Sequence, residues 1–200
     1  MFKAIFITIL VLLVQGIYVN VFPQSYDTKY TVEYTLKDIN GNMINKIKLF
    51  RNGAKMKFSK VENKGTDKET TTDIYIFKDE SMVYTVVSNS AGKFGSKHAL
   101  DLSLVGMQTG VYILDLGNDG KIFNSSSRAG TGTVLGYDCV KYTIASTAEA
   151  SSDYYMYQDN LMLKRFVGSY TEGNTIEALS FDNTTDVPES MFVVPAETVY

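Results

Sequence analysis

His98 is the only histidine of the chain, and its ordinary pKa suits acid–base catalysis near neutral pH. Ser96, Asp101 and Ser103 lie close to it, so the residue types of a hydrolase occur together in one short stretch. No G-x-S-x-G nucleophile elbow accompanies them. A lone histidine without such a motif is more often a surface or core residue. We therefore predict no catalytic residue and expect that the protein is not an enzyme.

Cys139 is the only cysteine, which excludes an intramolecular disulfide and a cysteine-rich metal site. It lies in residues 134–144, where apolar and polar residues alternate as in a strand. A free cysteine packs as a small hydrophobic residue, so a buried, inert thiol is the favoured interpretation. The alternative is a reactive thiol or an intermolecular disulfide.

Residues 115–120 (DLGNDG) resemble part of a calcium-binding loop. The third position of that loop is Gly117, and the twelfth is Ser126, where calcium loops need a bidentate glutamate. A hairpin turn explains the same residues. The chain also lacks a phosphate-binding glycine loop between a strand and a helix. The sequence therefore predicts no metal site and no cofactor.

The start of the chain has the pattern of a secretory signal peptide: Lys3 precedes an apolar run, residues 4–14 (AIFITILVLLV). This run is shorter than the roughly 20 residues of a membrane span, although an uncleaved anchor is the alternative. We predict a signal peptide over residues 1–25, cleaved between residues 16 and 25, and one domain over residues 26–200. No cysteine stands immediately after the leader to carry a lipid, so we expect a periplasmic or secreted protein without a further membrane span.

The charge balance limits the possible partners. With 19 basic and 22 acidic residues, the formal net charge is −3. Nucleic-acid binding needs a basic surface, so we expect no nucleic-acid partner. The same balance argues against strong electrostatic docking to anionic lipid. The oligomeric state does not follow from the sequence.

Alternation of apolar and polar residues dominates the chain, as in strands with one buried face. Tyr30, Val32, Tyr34 and Leu36 alternate with polar residues, and Asn-Gly pairs after this stretch and the next mark tight hairpin turns. Such signals predict roughly nine to eleven strands. These cover residues 30–37, 43–51, 55–59, 73–77, 82–87, 111–115, 121–123, 134–144, 154–157, 161–167 and 175–181.

Helix signals are few. Residues 96–107 are the best helix candidate, because Leu100, Leu104 and Met107 share one helical face. Residues 62–71 are polar and residues 125–133 are rich in Ser and Gly, so both stretches are predicted loops. The expected fold class is mainly β, a β-rich α+β protein built on one curved antiparallel sheet or partial barrel.

Two of the predicted strands, residues 73–77 and 82–87, carry apolar residues on both faces. Such strands are covered on both sides, by helices, another sheet or a bound ligand. Methionines help a pocket to adapt to flexible chains. The candidate lining residues of an apolar pocket are Tyr34, Leu36, Ile47, Leu49, Met56, Phe58, Ile76, Met82, Tyr84 and Val86. Alternatively, the same residues pack a core, as apolar strand faces mostly do.

Several stretches resemble an uncharacterised family of bacterial secreted proteins (domain of unknown function 4412), which is similar in shape to the LolA and LppX lipoprotein-carrier group. The resemblance rests on residues 52–57, 74–84, 132–142, 155–166 and 191–196. It implies a strongly curved antiparallel sheet, or half-barrel, with one or a few short helices covering the concave face. In LolA-like carriers that space holds acyl chains.

Two functions are therefore expected. In the first, the exported protein binds a lipid or the acyl chains of a lipoprotein in the cavity of its sheet. In the second, it is a secreted envelope interaction or structural protein with a filled core and no ligand. Tyrosine-rich stretches such as residues 154–157 suit a contact surface with a partner.

Overall fold

The computed structural model describes residues 27–114, 123, 126–145, 151–168 and 173–198. The predicted signal peptide lies outside these ranges, as do the calcium-like segment 115–120 and most of the predicted strand 121–123. Within the described ranges, no helix combines the length and apolar character needed to cross a bilayer.

One antiparallel sheet contains all eleven strands of the described residues. The strands are β1 (Lys29–Asp38), β2 (Met43–Asn52), β3 (Lys55–Glu62), β4 (Thr70–Phe77), β5 (Met82–Asn89), β6 (Gly92–Ala99), β7 (Arg128–Val134), β8 (Tyr137–Ala145), β9 (Ser151–Tyr157), β10 (Leu161–Gly168) and β11 (Gly173–Asp182). Their order across the sheet is β6-β5-β4-β3-β2-β1-β11-β10-β9-β8-β7.

The predicted mainly β class is confirmed, but the predicted strong curvature is not observed. The sheet is not strongly curled. Alternating side chains reveal which face of a strand is apolar. They do not fix how far the sheet bends, because bending depends on bulges and on what packs against the faces.

The first and last strands meet in the middle of the sheet, where β1 pairs with β2 on one side and with β11 on the other. Strands β1–β6 run outward as successive hairpins to one edge, and β7–β11 return from the opposite edge. Strands β6 and β7 are consecutive in the chain but form the two edges of the sheet. The connection between them, residues 100–127, therefore has to cross the sheet.

Described residues of this connection, among them Val105 and Phe123, pack on one face, which we call the inner face. The connection contains helix α1 (Leu102–Thr109). Its backbone is joined to the β9–β10 hairpin, because Leu114 N donates to Asn160 O and Met162 N donates to Tyr112 O. The buried residues of the connection belong to the same apolar cluster as the sheet: Val105, Val111, Ile113 and Phe123.

The helix predicted over residues 96–107 is only partly correct. Its first four residues continue strand β6, and α1 begins at Leu102 and ends at Thr109. Strand β6 has the sequence GKFGSKHA and is mostly exposed. An edge strand pairs on one side only and needs little burial, so its sequence shows no apolar alternation.

Strand β7 corrects a second prediction, because residues 125–133 were expected to be a loop. Arg128–Val134 instead pairs with β8 at the other edge of the sheet. Its sequence consists largely of glycines and exposed polar residues, so it lacks apolar alternation for the same reason as β6. Conversely, the predicted strand 111–115 contributes only an isolated bridge between Ile113 and Leu161.

The C-terminal segment, residues 183–198, crosses the opposite face, which we call the outer face. It is attached to β2 where Asn52 Nδ2 donates to Val187 O (3.1 Å), and to β6 by the Lys93–Glu197 ion pair. Val187 and Phe192 of this segment are buried. The outer-face side chains of Tyr75 and Val86 are also buried, which accounts for the apolar residues on both faces of β4 and β5.

Cys139 provides a test of the packing, because burial raises the pKa of its thiol to about 11. An unfolded chain ionises a cysteine at about pH 8.5. We expect iodoacetamide at pH 8 to modify the native protein at least about tenfold more slowly than the urea-unfolded protein. Mass spectrometry of timed samples measures this ratio, and equal rates would contradict a buried thiol.

The same shift predicts a pH dependence of stability. Between about pH 8.5 and pH 11 the unfolded thiol releases its proton while the native thiol keeps it. The free energy of unfolding should therefore fall as the pH rises through this window. Cys139→Ala is the control, because it should remove this part of the fall in urea titrations.

The packing of α1 on the sheet can be tested at Gly110, which follows the helix with φ +71°. A Cβ atom here would overlap Cδ1 of Ile176 on β11, whereas Gly136 has φ +83° and open space around it. We expect Gly110→Ala to lower the free energy of unfolding by about 2–4 kcal/mol, from backbone strain plus overpacking. Gly136→Ala should cost about 1 kcal/mol, from strain alone. Equal losses in urea unfolding would show that α1 does not contact β11.

Candidate functional site

Seven of the ten predicted lining residues share the inner face. The register pairs Tyr34 with Ile47, and Leu49 with Phe58. Directly paired residues point to the same side of a sheet, so these contacts propagate one apolar layer across the strands. The seven residues are Tyr34, Leu36, Ile47, Leu49, Met56, Phe58 and Ile76.

The other three, Met82, Tyr84 and Val86, lie on the outer face. Met82 pairs with Phe77, and Tyr84 pairs with Tyr75. The register therefore does not bring these three side chains together with the seven. The inner-face residue of β5 in this layer is Val83, which pairs with Ile76. The turn between β4 and β5 decides which residues of β5 point to the inner face. The sequence of β5 does not decide this, because it has apolar residues on both faces.

The inner layer is closed. Tyr34, Leu49, Met56 and Ile76 each have 0% exposed surface, and Phe58 has 2%. A water-sized void beside such a side chain would count as exposed surface. These residues are therefore in contact with protein on all sides.

An aromatic cluster fills the inner face above β8–β10. The Phe123 ring lies 4.9 Å from that of Tyr154 and 5.4 Å from that of Tyr142, both edge-on. Tyr112 also contacts Phe123 and Tyr154, and the Arg165 guanidinium lies over the rings of Tyr112 and Tyr154. Edge-to-face aromatic pairs and cation–π contacts each add about 0.5–1.5 kcal/mol. The cluster therefore holds the connection on the sheet.

The cluster was not predicted from the sequence, because its members come from the connection and from three strands. Only the high tyrosine content hinted at such packing. Two polar atoms on this face, Thr85 Oγ1 and Arg165 Nε, are buried without a hydrogen-bond partner, whereas the Tyr34 hydroxyl is satisfied. The Tyr34 hydroxyl donates to Met162 O (2.7 Å), and burial raises the pKa of Tyr34 well above its ordinary value. The Tyr34 hydroxyl is thus a neutral structural donor.

The outer face carries two groups in which two lysines share one carboxylate. We call them the first triad, Lys37–Glu177–Lys164, and the second triad, Lys46–Glu33–Lys48. In the first, the N–O distances to Glu177 are 3.9 Å and 2.8 Å. In the second, they are 2.9 Å and 3.3 Å. The hydrogen bond from Lys46 lowers the pKa of Glu33, so this carboxylate stays ionised beside its two lysines.

Two open depressions lie beside these triads. One, of about 440 Å³, contains the first triad together with Ile39 and Phe166. The other, of about 600 Å³, contains the second triad together with Met43 and Ile44. The hairpin turn between β1 and β2 separates them. Both combine lysine ammonium groups and carboxylates, among them Asp38, Asp153 and Glu62, with exposed apolar side chains.

The residues with catalytic potential lie on and just after an edge strand of the sheet. His98 lies exposed near the end of edge strand β6, paired across the sheet with Val83, and Ser96 pairs with Thr85. Asp101 lies beyond the strand, just before α1. In the described part of the chain, no three His, Cys, Asp or Glu residues are grouped as metal ligands.

Comparison with solved structures identifies the fold. The chain is similar to MucB, with a TM-score of 0.50 and 10% identity over 85% of this chain and 58% of that chain. The Pseudomonas aeruginosa MucA/MucB complex matches with a TM-score of 0.48 at 10% identity, over 84% of this chain and 56% of that one. The chain thus spans less than two thirds of the MucB chains that it matches.

No family model and no curated protein matches the sequence. The predicted membership of the domain of unknown function 4412 is therefore not confirmed. At 10% identity, the first match shows a shared fold. The similarity in shape to the LolA and LppX group stays a prediction.

Proposed function

We propose that the protein is exported and acts in the cell envelope as a non-enzymatic binding protein, with a filled inner face and a partner-binding outer surface. The burial of the inner layer carries this proposal, because Tyr34, Leu49, Met56 and Ile76 have no exposed surface. The aromatic cluster of Phe123 packs on β8 and β9 of the same face. In the part of the chain that the structure describes, the outer face and the hairpin turns are accessible.

Two observations support an envelope location. The first 25 residues have the basic start and apolar run of a signal peptide. The similarity of the fold to MucB agrees with a periplasmic protein.

Carriage of an acyl chain is the second candidate function. The observation in its favour is that, among the described residues, the continuous apolar layer is covered by a connection whose one helix is the eight-residue α1. Helices shorter than about 12 residues are marginal in water and depend on packing. An apolar ligand competing for the inner face could therefore displace α1. In this case the seven inner-face residues line the site, and Met82, Tyr84 and Val86 do not.

Native mass spectrometry separates the two functions. The protein is exported to a bacterial periplasm, purified without detergent, measured intact and then extracted with organic solvent. We expect the mass of the polypeptide alone, before and after incubation with phospholipid. Acyl lipid retained at one molecule per chain would contradict the filled inner face and establish carriage.

A pair of variants tests the same point through stability. Phe58 is buried in the inner layer, so Phe58→Ala should lower the free energy of unfolding by about 3–5 kcal/mol. Met82 is partly exposed on the outer face, so Met82→Ala, the control, should cost about 1 kcal/mol or less. Urea denaturation measures both. A small loss for Phe58→Ala, or its recovery on adding a fatty acid, would indicate a cavity.

A further inference from the structure

The C-terminal segment, residues 183–198, crosses the outer face from β1 to β6, and its charged residues are all acidic and all paired. It contains three carboxylates and no lysine or arginine. Each carboxylate meets a lysine on a different strand, first on β1, then on β3 and finally on the edge strand β6. The three ion pairs are Lys29–Asp186, Lys55–Glu189 and Lys93–Glu197. The segment and the sheet beneath it are therefore complementary in charge.

The lysines beneath the segment depend on it for their ion pairs. Among the described residues, Lys29, Lys55 and Lys93 form ion pairs with the segment alone. Asp73, which also lies on the outer face, has a lysine of its own, Lys57, at 2.8 Å. The carboxylate of the second triad likewise has its two lysines. Without the segment, three ammonium groups spread over β1, β3 and β6 would therefore lose their carboxylates.

Two apolar side chains anchor the segment between these ion pairs. Val187 and Phe192 are only 5% and 3% exposed. Between its ion pairs on β3 and β6 the segment passes over β4 and β5, where Tyr75 and Val86 are buried on the same face. The outer face thus offers an apolar site set among lysines. Such a site fits an acidic segment that carries an aromatic anchor.

The segment is held without strand pairing. In the described part of the chain, no backbone-to-backbone hydrogen bond joins it to a strand, and Asn52 Nδ2 donates to Val187 O from a side chain. Its three ion pairs are open to solvent, with lysine side chains 37% to 59% exposed, and exposed ion pairs contribute little to stability. The connection on the inner face is instead joined to the β9–β10 hairpin by backbone hydrogen bonds. Of the two covers, the C-terminal segment therefore opens at the lower free energy.

We propose that the outer face beneath residues 183–198 binds an acidic, extended peptide segment of another envelope protein, and that the C-terminal segment occupies this site when the partner is absent. Carboxylates of the incoming peptide meet Lys29, Lys55 and Lys93, and an aromatic side chain takes the place of Phe192. The proposal rests on the proposed function and states the chemistry of the partner. Because the resident segment is tethered, it competes at an effective concentration of about millimolar, which closes the site to weak ligands.

A labelled peptide tests the site on the full mature chain. The probe is a fluorescein-labelled peptide with the sequence of residues 183–198, and binding is followed by fluorescence anisotropy. Val187→Ser/Phe192→Ser in the chain removes both anchors of the resident segment, so this variant should bind the peptide at least about tenfold more tightly than the wild-type chain. The matched control is Ile44→Ser/Leu179→Ser, which changes residues 58% and 44% exposed outside the segment and should bind like the wild type. Circular dichroism checks that each variant keeps its sheet.

Charge reversal tests the lysines and releases the resident segment without changing its anchors. In the Lys55→Glu/Lys93→Glu chain, the sheet repels its own Glu189 and Glu197. A peptide with Glu189→Lys/Glu197→Lys should bind this chain at least about tenfold more tightly than it binds the wild-type chain, whereas the unchanged peptide should show no such gain. Raising the salt concentration should weaken the matched pair, because its ion pairs are exposed.

Three results would overturn the proposal. The first is an equal gain in peptide affinity for the anchor variant and its control. The second is the same affinity of both peptides for the charge-reversed chain, or no binding of either. The third is a wild-type chain that sediments as a dimer and becomes a monomer with Val187→Ser/Phe192→Ser, which would assign the face to a second copy of the chain.

The outcome is distinguishable from that of the mass-spectrometry experiment. Lipid that stays bound to the isolated chain would refute the filled inner face and leave the peptide site intact, because the two lie on opposite faces of the sheet. A lipid-free mass together with no binding of the peptides would refute the peptide site alone.

Discussion

The path of the chain between the two edges of the sheet is the constraint on which the rest of the structure depends. Strands β6 and β7 are consecutive in sequence, yet ten strand spacings separate them. At about 4.8 Å per spacing, a sheet this wide measures about 48 Å along its surface. Residues 100–127 join the two edges, and their described part packs on the inner face with α1, Tyr112 and Phe123. The cover of the inner face is thus a consequence of strand order.

The two faces of the sheet are covered by different parts of the chain. The inner face has an apolar layer and an aromatic cluster that bury each other, which supplies hydrophobic stabilisation. On the outer face, the C-terminal segment covers Tyr75 and Val86, while the surface near the β1–β2 turn stays open. Lysines and aliphatic residues are tolerated there because they do not compete with core packing. Binding to the outer surface and a closed interior are therefore compatible in one sheet.

Prediction succeeded for strands that are half buried and failed at the edges. Strand β1 was predictable from its sequence because Tyr30, Val32 and Tyr34 face the core, so apolar residues recur with a period of two. Strands β6 and β7 bury almost nothing, so no pattern was imposed on their sequences. For the candidate site, the alternation identified the residues that share the inner face where the other face of the strand is polar. It did not identify them in β5, whose two faces are covered by different parts of the chain.

The sequence by itself determined the mainly β class and the positions of most turns. It also placed on one face seven of the ten proposed lining residues, those that share the inner face. These follow from local rules, since alternation and turn residues act over a few positions. Only the tertiary structure decided what covers each face, because Phe123 meets Tyr142 and Tyr154, and Asn52 meets Val187, across long stretches of sequence. Whether an apolar face is a pocket or a core depends on such distant contacts. An apolar side chain is the same in both, and only its neighbours differ.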